Sequence, residues 1–383
     1  MKINHALAMA LSALSAGLLI SCVKPADENK AAEVDSQAIA PDSAASNSTA
    51  ATDSASAEQI VAIDISADTE KTYLTHVAKD IVIPAYADAV KQSDLLHDLA
   101  QKHCQQAPVS GDELQALRAQ WLVLAQAWAS AEMINFGPAT ASMSNLYINY
   151  YPDERGLVHS GVAELIAANP SLTAEQLADE SAIVQGVPGL EEALFVNDSL
   201  NAAQCAYMVS ASAALSTRLK AIESNWQENA TTLLAIDKTA DSDQGLNQWF
   251  NSLLSLLETM KTNAIAEPLG LVGKAKGHLP AATAGQSRAI INAKLATLNK
   301  TLTDPVLIAI LGSNNENAIA DSLSSELADT TTLLAQMPED LATADKAKQQ
   351  ELFDHFTTIT RLMKRQLIPT LGVRVGFNSN DGD

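Results

Sequence analysis

Aromatic residues are scarce in this 383-residue chain, at 4% of the total. Its cores must therefore be built mainly from alanine and leucine, which suits closely packed helices. Basic residues are outnumbered 24 to 45 by acidic ones, and the formal net charge is -21. That balance excludes nucleic acid and anionic lipid surfaces as partners. It permits cation binding without establishing it, because acidic solvated faces are common. No Gly-x-Ser-x-Gly elbow, phosphate loop or dinucleotide fingerprint is present. His76, His97, His103, His159, His278 and His355 show neither His-x-x-x-His nor His-x-x-Glu spacing, so no helix reads as a zinc site. His159 has Glu164 five residues on, which does not put both on one helical face. Convincing strand alternation is also lacking. The best stretch, Val373-Arg374-Val375-Gly376-Phe377, is short.

Long apolar runs are limited to residues 6–20, which follow Lys2 and are too short to span a bilayer comfortably. The run ends in Leu19-Ile20-Ser21-Cys22, which looks like a lipobox. In that pattern residues 1–21 are a signal peptide, cleavage precedes the cysteine, and Cys22 carries a lipid that ties the chain to the membrane. An ordinary secretory signal with an accidental cysteine is the alternative. No aspartate follows Cys22, which points to an outer-membrane anchor facing the periplasm. Residues 22–68 are rich in Ala, Ser, Asp and Thr and contain no aromatic. Such a stretch buries too little apolar surface to offset its ordering entropy, and we expect a disordered tether. Two further cysteines, Cys104 and Cys205, sit in a chain expected to leave the cytoplasm. A disulfide between them would be worth about 4 kcal/mol in the chain-entropy model; two buried free thiols are the alternative.

Helical periodicity dominates the rest. Leu114, Leu117, Trp121, Ala125 and Trp128 mark one face behind a capping box, Ser110-x-x-Glu113. Cys205, Met208, Ser212, Leu215, Leu219, Ile222 and Trp226 mark another, and Leu352, Phe356, Ile359, Met363 and Leu367 a third. Thr173-x-x-Gln176 is a second capping box. Further helices are expected over residues 72–106, with a bend at Pro84, and over 246–261, 284–303 and 314–336. Breaks fall at 135–156 and 268–283, each either a functional loop or a passive crossover. An all-α bundle architecture follows, with a domain over 69–383 in two packed helical halves, about 69–240 and 241–383.

Two blocks resemble a known family. Residues 121–138, WLVLAQAWASAEMINFGP, combine a tryptophan helix, a glutamate and an aromatic-Gly-Pro turn. Residues 186–195, GVPGLEEALF, form the second block. Both look like conserved blocks of the imelysin family, whose signature is Gly-x-His-x-x-Glu, and the resemblance covers most of residues 70–383. It implies imelysin-like helical bundles, a tie to bacterial iron uptake, and a former classification among metallopeptidases. Here Pro188 stands where that signature has histidine. A histidine and a glutamate three apart on a helix can share a metal, whereas proline has no lone pair to offer. The second block is most similar to a branch of predicted periplasmic lipoproteins with Gly-Leu-Pro-Ala-Leu-Glu.

Four residues follow as pocket-lining candidates: Glu132, Pro188, Glu191 and Arg288. Glu132 continues the stripe begun at Leu114, so its carboxylate needs a partner charge or donor unless it reaches water at the helix end. Pro188 suits the first turn of a helix, and Glu191 and Glu192 gain there from the helix dipole without any ligand. The resemblance places Glu191, not Glu192, in the family's pocket. Arg288 could pair with one of these acids or lie exposed on its helix. Glu132 and Glu191 are the only metal-ligand candidates, for iron or another divalent ion. Asp381-Gly382-Asp383 is half a calcium loop at most. The resemblance thus implies a non-catalytic, lipid-anchored binding protein in iron or other metal uptake, working with envelope proteins of an iron-uptake system. The alternatives are a structural or interaction lipoprotein with a vestigial pocket and a metallopeptidase.

Overall fold

Three prolines set where the long helices change pitch. In the computed structural model, which describes residues 60–237 and 244–375, Pro84, Pro268 and Pro369 each stand second in an α-helical segment. Each segment continues directly from a π-helical turn, at Val77–Val82, Thr262–Ala266 and Met363–Leu367. A proline removes the N–H owed to the carbonyl four residues back, and its ring crowds that carbonyl. Widening the preceding turn relieves the crowding. The bend expected at Pro84 takes this form.

The α-helices are α1 (Ala67–His76), α2 (Ile83–His103), α3 (Gly111–Ala131), α4 (Ser144–Ile148), α5 (Leu157–Ala168), α6 (Ala174–Ala178), α7 (Gly186–Phe195) and α8 (Ala202–Leu233). After these come α9 (Leu246–Lys261), α10 (Glu267–Leu269), α11 (Ser287–Leu302), α12 (Pro305–Ser313), α13 (Asn317–Ala335), α14 (Lys346–Leu362) and α15 (Ile368–Thr370). The fold is all-α, as expected, with no strand among the described residues. Val373–Val375 is irregular, because no neighbouring strand offers it a ladder. The signal segment, Cys22, most of the tether and the acidic tail lie outside the described residues. Ahead of α1, the Ile63 N–H donates to the Thr370 carbonyl at 2.8 Å, so ordered chain begins earlier than the tether reading expects.

The three stripes are buried in one hydrophobic core that runs from Tyr73 to Val373. Helix α2 packs on both α3 and α8, and α3 also meets α7 and α11. Helix α13 joins α11 to α14. Cys104, at the end of α2, is disulfide-bonded to Cys205 in the first turn of α8, with a Cα–Cα distance of 5.2 Å. Next to it, Val109 and Leu200 exchange backbone hydrogen bonds. Thr173 and Gln176 form the expected capping box. Ser110 does not: it is extended before α3, but its side chain caps nothing. Asn201 and Gln204 form a box that opens α8.

Candidate functional site

The second block makes the start of α7, and its small residues are fixed by contact. Gly186 has φ +69, and a Cβ there would sit 2.1 Å from the Ile148 carbonyl oxygen. Only glycine combines that conformation with that approach. A Cβ on Gly189 would meet the Tyr207 hydroxyl at 2.3 Å, which donates to the Val184 carbonyl. Pro188 occupies the first turn, where its missing amide costs no intrahelical bond. The Val187 carbonyl accepts from the Trp121 indole at 3.0 Å, tying α7 to α3. With its start so fixed, α7 turns Glu191 and Glu192 towards a cavity of about 410 Å³, within the range of small-molecule sites.

Helices α3, α7 and α11 and the segments 149–159 and 278–283 line this cavity. Glu132, Pro188 and Glu191 all reach it, so three of the four expected residues share one site. Arg288 does not. It turns to Glu339, pairs with that carboxylate, and donates to the Met337 carbonyl at 2.7 Å. These acceptors lie at and just beyond the C-terminal end of α13, so the guanidinium is held there and is not part of the cavity lining. The cation in the cavity is instead Lys294, also on α11. Its Nζ lies 2.6 Å from Glu132 Oε2, and its side chain is only 7% exposed. Glu132 Oε1 accepts from the Asn149 amide at 2.8 Å. The carboxylate at the end of the α3 stripe is thus held by a charge and a donor.

Glu191 is buried, and its Oε1 accepts from the Ala284 N–H at 2.9 Å. Burial pushes its carboxyl up to about 7; the Ala284 N–H opposes that rise and the neighbouring Glu192 charge adds to it. Glu192 accepts from the Thr283 hydroxyl at 2.7 Å and pairs with His159 Nδ1 at 2.8 Å. Asp153 caps α5, accepting from the Leu157 and Val158 amides. The Tyr151 hydroxyl reaches the carbonyls of Asn263 and His278, and burial raises its phenol far above the usual range. Through Tyr151 the two expected breaks meet, and both are cavity walls.

The donor set does not fit a bare metal ion. Among the described residues no group of three or more His, Cys, Asp or Glu could hold one. Glu132 is already neutralised by an ammonium, Glu191 holds a proton up to about neutral pH, and Pro188 supplies no lone pair. Of the two expected metal-ligand candidates, Glu132 is paired with Lys294 and Glu191 is buried, with its carboxyl pushed up to about 7. Lys294 was legible in principle: it falls on the apolar face marked by Ile290, Ile291, Leu295 and Leu298, where a lone lysine needs a partner.

Comparison with known proteins agrees with the fold. The family model for imelysin (peptidase M75) matches residues 82–366. An imelysin-like protein from Psychrobacter arcticum 273-4 shares 84% identity over 83% of this chain and 100% of its own, with a TM-score of 0.82. A protein from Parabacteroides distasonis ATCC 8503, named as an iron-regulated protein A precursor, shares the fold. Its TM-score is 0.61 at 11% identity, over 79% of this chain and 95% of its own. No curated protein sequence matches significantly. With its glycines, Pro188 and Glu191 set at the head of α7, this chain belongs to the imelysin family.

Proposed function

We propose that this chain is a non-catalytic binding protein of the cell envelope, lipid-anchored through Cys22 and serving iron or other metal acquisition. In this reading its cavity takes a small ligand, and a metal enters only as a complex whose organic part meets the protein. The observation that carries the proposal is the buried Lys294–Glu132 pair set in an otherwise mainly apolar cavity beside Glu191. A cavity so equipped can orient a ligand through a few polar groups. Family membership and the name of the Parabacteroides neighbour support the link to iron.

Hydrolysis finds little support in the same residues. No serine or cysteine lines the cavity. A metallopeptidase needs several donors around a metal with an open position, and at the signature positions α7 offers Glu191 with Pro188 in place of a histidine. Calorimetric titration of the full-length chain with ferric citrate and with haem tests the proposal. One-to-one binding that is lost in Glu132→Ala and weakened in Glu191→Ala is expected. Absence of heat with both compounds, together with unchanged iron-limited growth of both variant strains, would overturn the metal-acquisition role in favour of a structural envelope lipoprotein.

A further inference from the structure

In the cavity, each carboxylate has at least one oxygen engaged, while one buried donor has no acceptor at all. Glu132 is taken by Asn149 and Lys294, and Glu191 by the Ala284 amide. Glu192 is taken by Thr283 and His159, and Asp153 by two amides of α5. Against these stands the Trp128 indole N–H. Trp128 lines the cavity, is 2% exposed, and its Nε1 has no hydrogen-bond partner. Lys294 adds to the imbalance. Its ammonium carries three hydrogens, and its one ion-pair neighbour is Glu132 Oε2, an oxygen placed outside hydrogen-bond geometry. Trp128 and Glu132 are four residues apart at the end of α3, so the indole and the ion pair share one wall.

Resting on the proposal that this cavity binds a small ligand, we infer that the ligand is an amphipathic carboxylate. Its carboxylate oxygens accept from Trp128 Nε1 and Lys294 Nζ. A buried donor without an acceptor is destabilising, and an arriving oxygen removes that penalty. A charged acceptor gains more from an ammonium than a neutral one does. Ala125, Val187, Leu279 and Ile290 line the cavity as well and receive the apolar body. An amine-ended ligand finds the opposite, because the resident ammonium of Lys294 repels it.

The charged and titratable groups around the cavity are Glu132, Tyr150, Tyr151, Asp153, His159, Glu191, Glu192, His278 and Lys294. Below about pH 7 Glu191 is protonated and adds no negative charge to this set. As pH rises through that value the cavity gains a charge that opposes an anionic ligand. Binding of a carboxylate therefore weakens from pH 6 to pH 8.

Calorimetric titration of the full-length chain at pH 6 with octanoate, octylamine and octanol tests the inference. Octanoate is expected to bind at least about tenfold tighter than the other two, the margin a charge-assisted contact provides. Trp128→Phe keeps the ring and removes the N–H; it and Lys294→Met should each weaken octanoate about tenfold and weaken octanol, whose neutral oxygen makes the weaker contact, by a smaller factor. Octylamine binding as tightly as octanoate overturns the inference, as does unchanged octanoate affinity in Trp128→Phe. If octanol binds and octanoate does not, the cavity takes small ligands but not by a carboxylate. If none of the three binds, the cavity proposal fails as well.

Discussion

Gly186 and Glu191, five residues apart, carry opposite kinds of constraint. At Gly186 a methyl group would collide with backbone, at 2.1 Å from Ile148 oxygen, on a residue with φ +69. Gly186→Ala is expected to lower stability by about 2 kcal/mol or more, read as a fall in Tm. An unchanged Tm would mean that α7 does not start where Gly186 places it. At Glu191 the constraint is electrostatic. Its folded pKa, about 7, lies above the ordinary carboxyl value of 4.5 that holds in the unfolded chain. Its contribution is therefore fully present below the unfolded value and is lost as pH rises through the folded one. Glu191→Gln removes that loss, and its advantage over the native protein should grow between pH 5 and pH 8, by on the order of 3 kcal/mol at most. Parallel Tm curves for the two proteins would contradict the burial of this acid. The motif itself was legible: glycine, proline and two acids announce a helix start. What each glycine touches was not, because Ile148 and Tyr207 reach them only through tertiary packing.

Helices were the most legible elements. The stripes on α3, α8 and α14 are apolar at helical spacing over many turns, and all are buried. Boundaries fared less well where local and tertiary signals compete. Ser110-x-x-Glu113 has the residues of a capping box, yet Ser110 caps nothing, and the short α12 opens with an Asp304 cap that periodicity did not suggest. The π turns before Pro84, Pro268 and Pro369 leave no sequence period of their own; only the prolines hint at them. The disulfide between α2 and α8 was deducible from the cysteine count and the export expected from the N-terminal run. It closes a loop with a sequence separation of 101, so replacing both Cys104 and Cys205 with alanine should cost about 4 kcal/mol. Equal denaturation midpoints for that variant and the oxidised protein would show that the core alone fixes α2 on α8.

The cavity belongs to the whole molecule, since no single segment contains it. Helix α3 supplies Glu132 and Trp128, α7 supplies Glu191, and α11 supplies Lys294, while Tyr151 ties the two intervening loops together. Spacing set Glu132 at the end of the α3 stripe, the family resemblance put Glu191 in the pocket, and Arg288 was left open between pairing with one of these acids and lying exposed on its helix. Both Arg288 and Lys294 lie on α11, and only the packing of α11 on α3 decides which of them meets a site acid. That choice separates a metal site from a cavity for an organic ligand, because Lys294 stands beside Glu132 where a bound cation would otherwise lie. Calorimetric titration of zinc ion into the native chain and into Lys294→Ala tests this most directly. No binding to the native chain is expected, with a weak site gained when the ammonium is removed. One-to-one zinc binding by the native chain that disappears in Glu132→Gln would contradict it.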